Sequence, residues 1–114
     1  MNFKELTQEV SSNLRDLKKG HPDLIKAFGM LSGAALKGED GALDEKTKEL
    51  LSLAIAIAIR CDDCIGFHTQ ACIRLGMTEA ELHELVGVAV LMGGGPSLMY
   101  GTHAIAAFKE FSEA

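Results

Sequence analysis

Cys61-Asp62-Asp63-Cys64 places two thiols three residues apart, and His68 follows four residues after the second. On a helix at roughly 100° per residue, with Cys61 as origin, Cys64 falls at about 300° and His68 at about 340°. The three side chains then share one face. Two cysteines one turn apart at a helix N-terminus can close a small disulfide with little motion, and the free N–H groups there stabilise a thiolate. The thiolate is the attacking species, so a base one turn away is what the chemistry needs; His68 can take the thiol proton directly or through a water. A carboxylate behind the imidazole would orient it. Glu49 is the candidate, as the last acid before an apolar run that leads straight to Cys61. An acid buried there requires a partner; a simpler alternative pairs it at the surface with Lys46, one turn earlier.

The neighbours of this group carry competing implications. Asp62 and Asp63 suit the positive end of a helix, yet two carboxylates beside the cysteines oppose thiolate formation. They are expected as exposed first-turn acids, with the thiols only moderately activated. Two thiolates and an imidazole also suit zinc, with the fourth ligand of a structural site drawn from His83, His103 or a second subunit. Cys72 lies near 20° on the same stripe but about two turns past Cys64, too far to bridge either partner, and fits a small buried residue. His83 follows Glu79 by one turn and is expected in solvent. His103 sits on an otherwise apolar stretch (Ala104, Ile105, Ala107, Phe108) as a packed core or interface histidine, and is a secondary candidate for lining the pocket. Met92 and Met99 can border an apolar entrance. Gly93-Gly94-Gly95 lacks the lysine and the strand-to-helix setting of a phosphate loop, so it fits a tight interhelical turn. No cofactor is expected.

Six helices with no strand account for the chain. The first runs from about Phe3 to Lys19, with Leu6, Val10, Leu14 and Leu17 at helical spacing, a basic last turn and Gly20 as the stop. The second opens at His21-Pro22 and continues through Phe28 and Leu31 to Gly38, with Gly41 in the next turn. The third starts at Asp44 as N-cap and is almost wholly apolar from Leu50 to Ile59. Its alternating Ala and Ile would also suit a buried strand, but Glu45 to Leu50 leads in with helix formers and no breaker. The fourth covers Asp62 to Leu75 and stops at Gly76. Thr78-Glu79-Ala80-Glu81 is a capping box opening the fifth, which ends at Gly93-Gly94-Gly95-Pro96. The sixth runs from Ser97 to Phe111. A helix that is apolar all round must be covered on every side, and a short chain has trouble doing so alone. A homo-oligomer is therefore expected.

The 114 residues fit one domain, 1–114, and a 47% apolar composition with 24% charged residues supplies a core. A net charge of −5 argues against a nucleic-acid partner and against an anionic membrane surface. The apolar run from Leu50 to Ile59 is about half of a membrane span. With no signal layout at Met1-Asn2-Phe3-Lys4-Glu5, the expected location is the cytoplasm. Disulfide staples are rare there, so the three cysteines point to reactive, metal-bound or buried thiols.

Glu49, eleven intervening residues, then Cys61-x-x-Cys64-x-x-x-His68 resembles the signature of the alkyl hydroperoxidase D-like proteins, within the carboxymuconolactone decarboxylase superfamily. Leu53-Ala54-Ile55-Ala56 and Ile65-Gly66-Phe67-His68 fit it too, and the resemblance spans about Leu43 to Phe111. It implies an all-helical fold assembling as trimers or hexamers. It also implies a peroxidase or thiol–disulfide activity of antioxidant type, with Glu49, Cys61, Cys64 and His68 as a proton relay and no metal. The substrate would be a hydroperoxide; an external dithiol, thioredoxin-like or lipoyl, would restore the pair. One departure is Asp63, where the best-studied members have a histidine. The name-giving decarboxylases generally lack the Cys pair, so its presence favours redox chemistry. A lyase acting on a lactone acid would need a cationic pocket, for which Arg60 and Arg74 are the nearby arginines.

Overall fold

The protein is described by a computed structural model over residues 1–37 and 41–113. Among these residues six helices follow in order: α1 (Phe3–Gly20), α2 (Pro22–Leu36), α3 (Glu45–Ala58), α4 (Asp62–Arg74), α5 (Glu79–Gly93) and α6 (Gly95–Ser112). The stretch that could pass for a strand, Ala54 to Ile59, is helical through Ala58, with Ile59 as the C-cap of α3. The sixth helix begins two residues earlier than expected, because Pro96 is accommodated in its first turn, where a missing N–H costs nothing. The expected end of the second helix at Gly38 lies outside the described residues. Among those residues no helix is long and apolar enough to cross a membrane.

Local chemistry sets the boundaries. The Asp44 carboxylate accepts the Thr47 N–H at 2.7 Å to open α3, and this bond holds its pKa below the ordinary value. Thr78 and Glu81 form the reciprocal capping box of α5. Glu81 also pairs with Lys46 at 3.0 Å, joining α5 to α3. Gly94, at φ 74°, makes the turn into α6.

The core draws Phe3 from α1, Leu53 and Ile57 from α3, Ile65 and Cys72 from α4, Leu82 from α5, and Ala104 and Ala107 from α6. Leu53 is 0% exposed; burying a leucine fully contributes about 1.5–3 kcal/mol. The expected all-round covering of α3 is not met within one chain. Leu53, Ala56 and Ile57 face inward, whereas Ile55 and Ile59 are 59% and 64% exposed. Helix α2 has no buried residue and presents Leu24, Phe28 and Leu31 to solvent.

Two junctions fix α4, which carries the sulfur pair. At Gly66 the first helix crosses so closely that a Cβ would lie 2.8 Å from Thr7 Cγ2 and 3.3 Å from Phe3 Cδ1. At its start, α3 ends in a Schellman motif: the Arg60 N–H donates to the Ile57 carbonyl and the Cys61 N–H to the Ala56 carbonyl, at 3.2 and 3.0 Å. The end of α4 repeats the pattern, with Gly76 N–H to Ile73 and Met77 N–H to Cys72. There the left-handed residue is glycine, at φ 89°; in the first junction it is Arg60, at φ 61°.

The N-terminus of α1 is tied to α6. Glu110 accepts the Phe3 N–H at 3.0 Å and the Lys4 N–H at 2.7 Å, and these bonds lower its pKa. A lowered folded-state pKa stabilises the protein above the unfolded value, and that stability is lost as pH falls through the folded value. Glu110→Gln should therefore lower the midpoint of thermal unfolding at neutral pH. Its midpoint should also fall less than that of the native protein between about pH 5 and pH 3; parallel melting curves would contradict the tie. Arg60→Gly should raise stability by about 1 kcal/mol, since it relieves a left-handed non-glycine residue. Urea unfolding measures this, and a destabilised variant would show that the Arg60 side chain carries more than its backbone strain.

Candidate active site

The Schellman turn delivers Cys61 to the N-cap of α4 in an extended conformation (φ −109°, ψ 95°). Cys61 is thus one residue ahead of the helix, which begins at Asp62 as expected. The pair nonetheless closes: Cys61 and Cys64 are joined by a disulfide with Cα atoms 5.2 Å apart. Cys61 Sγ occupies the capping position itself, accepting the Cys64 N–H at 3.1 Å. A sulfur held there receives the positive end of the helix, the arrangement that stabilises a thiolate once the bridge is reduced.

His68 lies one turn below Cys64. Its Nδ1–H donates to Glu49 Oε2 at 2.7 Å, across from α3 to α4. Only an N–H can face a carboxylate in this way, which leaves Nε2 free to exchange protons. Glu49 is 7% exposed, and its partner is His68, not Lys46, which is engaged by Glu81. The bond satisfies an acid that would otherwise be costly to bury.

Cys64 and His68 open onto a cleft of about 240 Å³ whose remaining lining is Ser52, Ile55, Ala56 and Ile59. Ser52, Ile55 and Ala56 recur at helical spacing on α3 and Ile59 is its C-cap; the three apolar side chains give the mouth an apolar wall. Ser52 donates its hydroxyl to the Lys48 carbonyl. Ile55 also borders an adjoining apolar hollow with Leu51, Ala54, Ala58, Val88, Ala89 and Met92; Met92 lines this hollow and not the cleft of Cys64 and His68. Met99 is exposed on α6.

Cys72 is fully buried. Burial, reinforced by the nearby Glu49 charge, pushes its thiol pKa up to about 12. It is a packing residue, as its spacing indicates. His83 is exposed beside Glu79 at 3.8 Å.

Of the two aspartates expected in solvent, only Asp63 is exposed. Asp62 is partly buried, and its Oδ1 accepts from His103 Nδ1 at 2.6 Å. The Tyr100 ring lies against that imidazole, centroids 4.8 Å apart. His103 is therefore anchored to the first residue of α4 and does not line the cleft of Cys64 and His68. The two arginines considered for a lactone pocket do not line it either; Arg74 borders a separate groove with Gln70, Ile73 and Phe111. Among the described residues, no group of three or more His, Cys, Asp and Glu is placed to hold a metal ion.

A fold of this kind occurs in known proteins. A carboxymuconolactone decarboxylase family protein from Legionella pneumophila is 48% identical, superimposes with a TM-score of 0.92, and is matched over 97% of both chains. A family protein from Thermotoga maritima, with a suggested part in the antioxidative response, is 30% identical with a TM-score of 0.79, over 91% of this chain and 87% of that one. A 4-carboxymuconolactone decarboxylase from Acinetobacter baylyi is 28% identical over 90% of this chain and 74% of its own. The family model for carboxymuconolactone decarboxylases matches residues 22–110, so the similarity begins in α2, ahead of the Leu43 at which the motif resemblance starts. On this match, the chain belongs to the carboxymuconolactone decarboxylase family, the superfamily of the alkyl hydroperoxidase D-like proteins.

Proposed function

We propose that the protein is a two-cysteine thiol peroxidase acting on organic hydroperoxides, in an antioxidant role. The carrying observation is the Glu49–His68 hydrogen bond at 2.7 Å beside the Cys61–Cys64 pair, opening on a cleft with an apolar wall. In the reduced state His68 takes the Cys64 proton, while Glu49 holds the ring and offsets the imidazolium charge. The Cys64 thiolate attacks a peroxide oxygen, the O–O bond breaks, and the alkoxide leaves with the proton returned by His68. Cys64 becomes a sulfenic acid; Cys61 condenses with it, forming the disulfide and releasing water. An external dithiol, thioredoxin-like or lipoyl, attacks Cys64 and expels Cys61, whose thiolate leaves toward the N-terminus of α4. The dithiol is oxidised as the pair is reduced. Ile55 and Ile59 at the mouth favour an alkyl substituent on the peroxide.

A lyase acting on a carboxylated lactone is the second reading, favoured by the relative from Acinetobacter baylyi. The absence of an arginine from the cleft lining weighs against it. The site also supports a homo-oligomer, since the exposed Ile55 and Ile59 flank the mouth while α2 has no fully buried residue.

Thiol titration before and after one equivalent of an organic hydroperoxide tests the first reading. Two thiols per chain should disappear and return with a dithiol, while Cys72 reacts only after unfolding. Cys61→Ser and Cys64→Ser should each lose turnover by at least a hundredfold. Full activity in either variant, or lactone turnover that survives thiol alkylation, would overturn the peroxidase. Light scattering should report a multiple of the 12.2 kDa chain mass, a trimer or hexamer; a monomer at micromolar concentration would refute the assembly.

A further inference from the structure

The Asp62–His103 pair lies outside the Glu49–His68 relay, yet its acid is the residue next to Cys61. Asp62 directly follows Cys61, the residue whose Sγ caps α4. A carboxylate next to a thiol opposes its ionisation, because two negative charges then share a small, partly dehydrated volume. That cost would work against the positive end of α4. The other charged groups of the segment do not remove it. Arg60 and Asp63 are exposed, and Glu49 is taken by His68. What meets the Asp62 carboxylate is His103, reaching across from α6 at 2.6 Å, with Tyr100 against its ring.

We propose that His103 is a positioning residue that engages and offsets the Asp62 carboxylate, so that the neighbouring Cys61 can carry negative charge when the disulfide opens. The proposal deepens the thiol-peroxidase reading and rests on it. His103 touches neither sulfur nor substrate in this account; it acts through Asp62. The two carboxylate–imidazole pairs then divide the work. Glu49–His68 moves the proton of Cys64, and Asp62–His103 prepares the electrostatics of Cys61. In both, the ring presents Nδ1 to the acid.

The test is the rate at which iodoacetamide alkylates Cys61 in the reduced, full-length protein between about pH 5 and pH 9, where thiolate content sets reactivity. The modified residue is identified by peptide mass. His103→Gln keeps a hydrogen-bond donor of similar reach but loses the ability to carry charge. It should slow Cys61 alkylation at neutral pH about threefold to tenfold. Asp62→Asn added to His103→Gln removes the uncompensated carboxylate and should restore the native rate or exceed it. A merely structural role predicts the opposite, since the second substitution would then add to the damage. An unchanged rate in His103→Gln, or a double variant as slow as the single one, would overturn the proposal. The assay contains no peroxide. Failure of the peroxidase reading would appear separately, as thiols that a hydroperoxide does not consume.

Discussion

A carboxylate removed from water must be met by a donor, and Glu49 is met by one ring nitrogen of His68. Much of the site's geometry answers to that bond. It spans α3 and α4, so the two helices must hold their relative placement to within hydrogen-bond tolerance. The aromatic and aliphatic core around Leu53, Ile57 and Ile65 supplies that rigidity, and the close crossing of α1 at Gly66 braces α4 from its other side. The same bond fixes which nitrogen of His68 is free, and thereby where a proton can be exchanged.

The short junction between α3 and α4 performs the second task. An ordinary helix end would place glycine at its left-handed position, as the end of α4 does at Gly76. Here Arg60 adopts that conformation, and the turn carries Cys61 directly from the end of one helix into the N-cap of the next. The sulfur pair thus sits at the N-terminus of α4, where backbone donors converge.

The legible features were those encoded over one or two turns. Asp44, Pro22 and the Thr78–Glu81 box announce helix starts through local hydrogen bonding and fixed backbone torsion, and the structure places them as their types suggest. The face shared by Cys64 and His68 follows from helical periodicity. The start of the fourth helix at Asp62 was legible as well, and it leaves Cys61 as the cap three residues before Cys64. Contacts set by helix crossings were not legible. Asp62 looks like a solvated first-turn acid until α6 brings His103 against it, and nothing in the local pattern links positions 41 apart. Glu110 is equally silent: its acceptors serve backbone donors 106 and 107 residues away. The bend at Arg60 was hidden because left-handed torsion is signalled by glycine, and the chain uses arginine there.

The tie between Glu110 and the first turn of α1 bears on the order in which the molecule is made. Synthesis produces Phe3 and Thr7 first, but the acceptor for the Phe3 amide emerges only with the sixth helix. Phe3 and Thr7 are also the side chains wedged against Gly66, two residues beyond Cys64. The brace behind the sulfur-bearing helix is therefore secured only once α6 has been made. A nascent chain that stops short of α6 would carry both thiols without the frame that directs them.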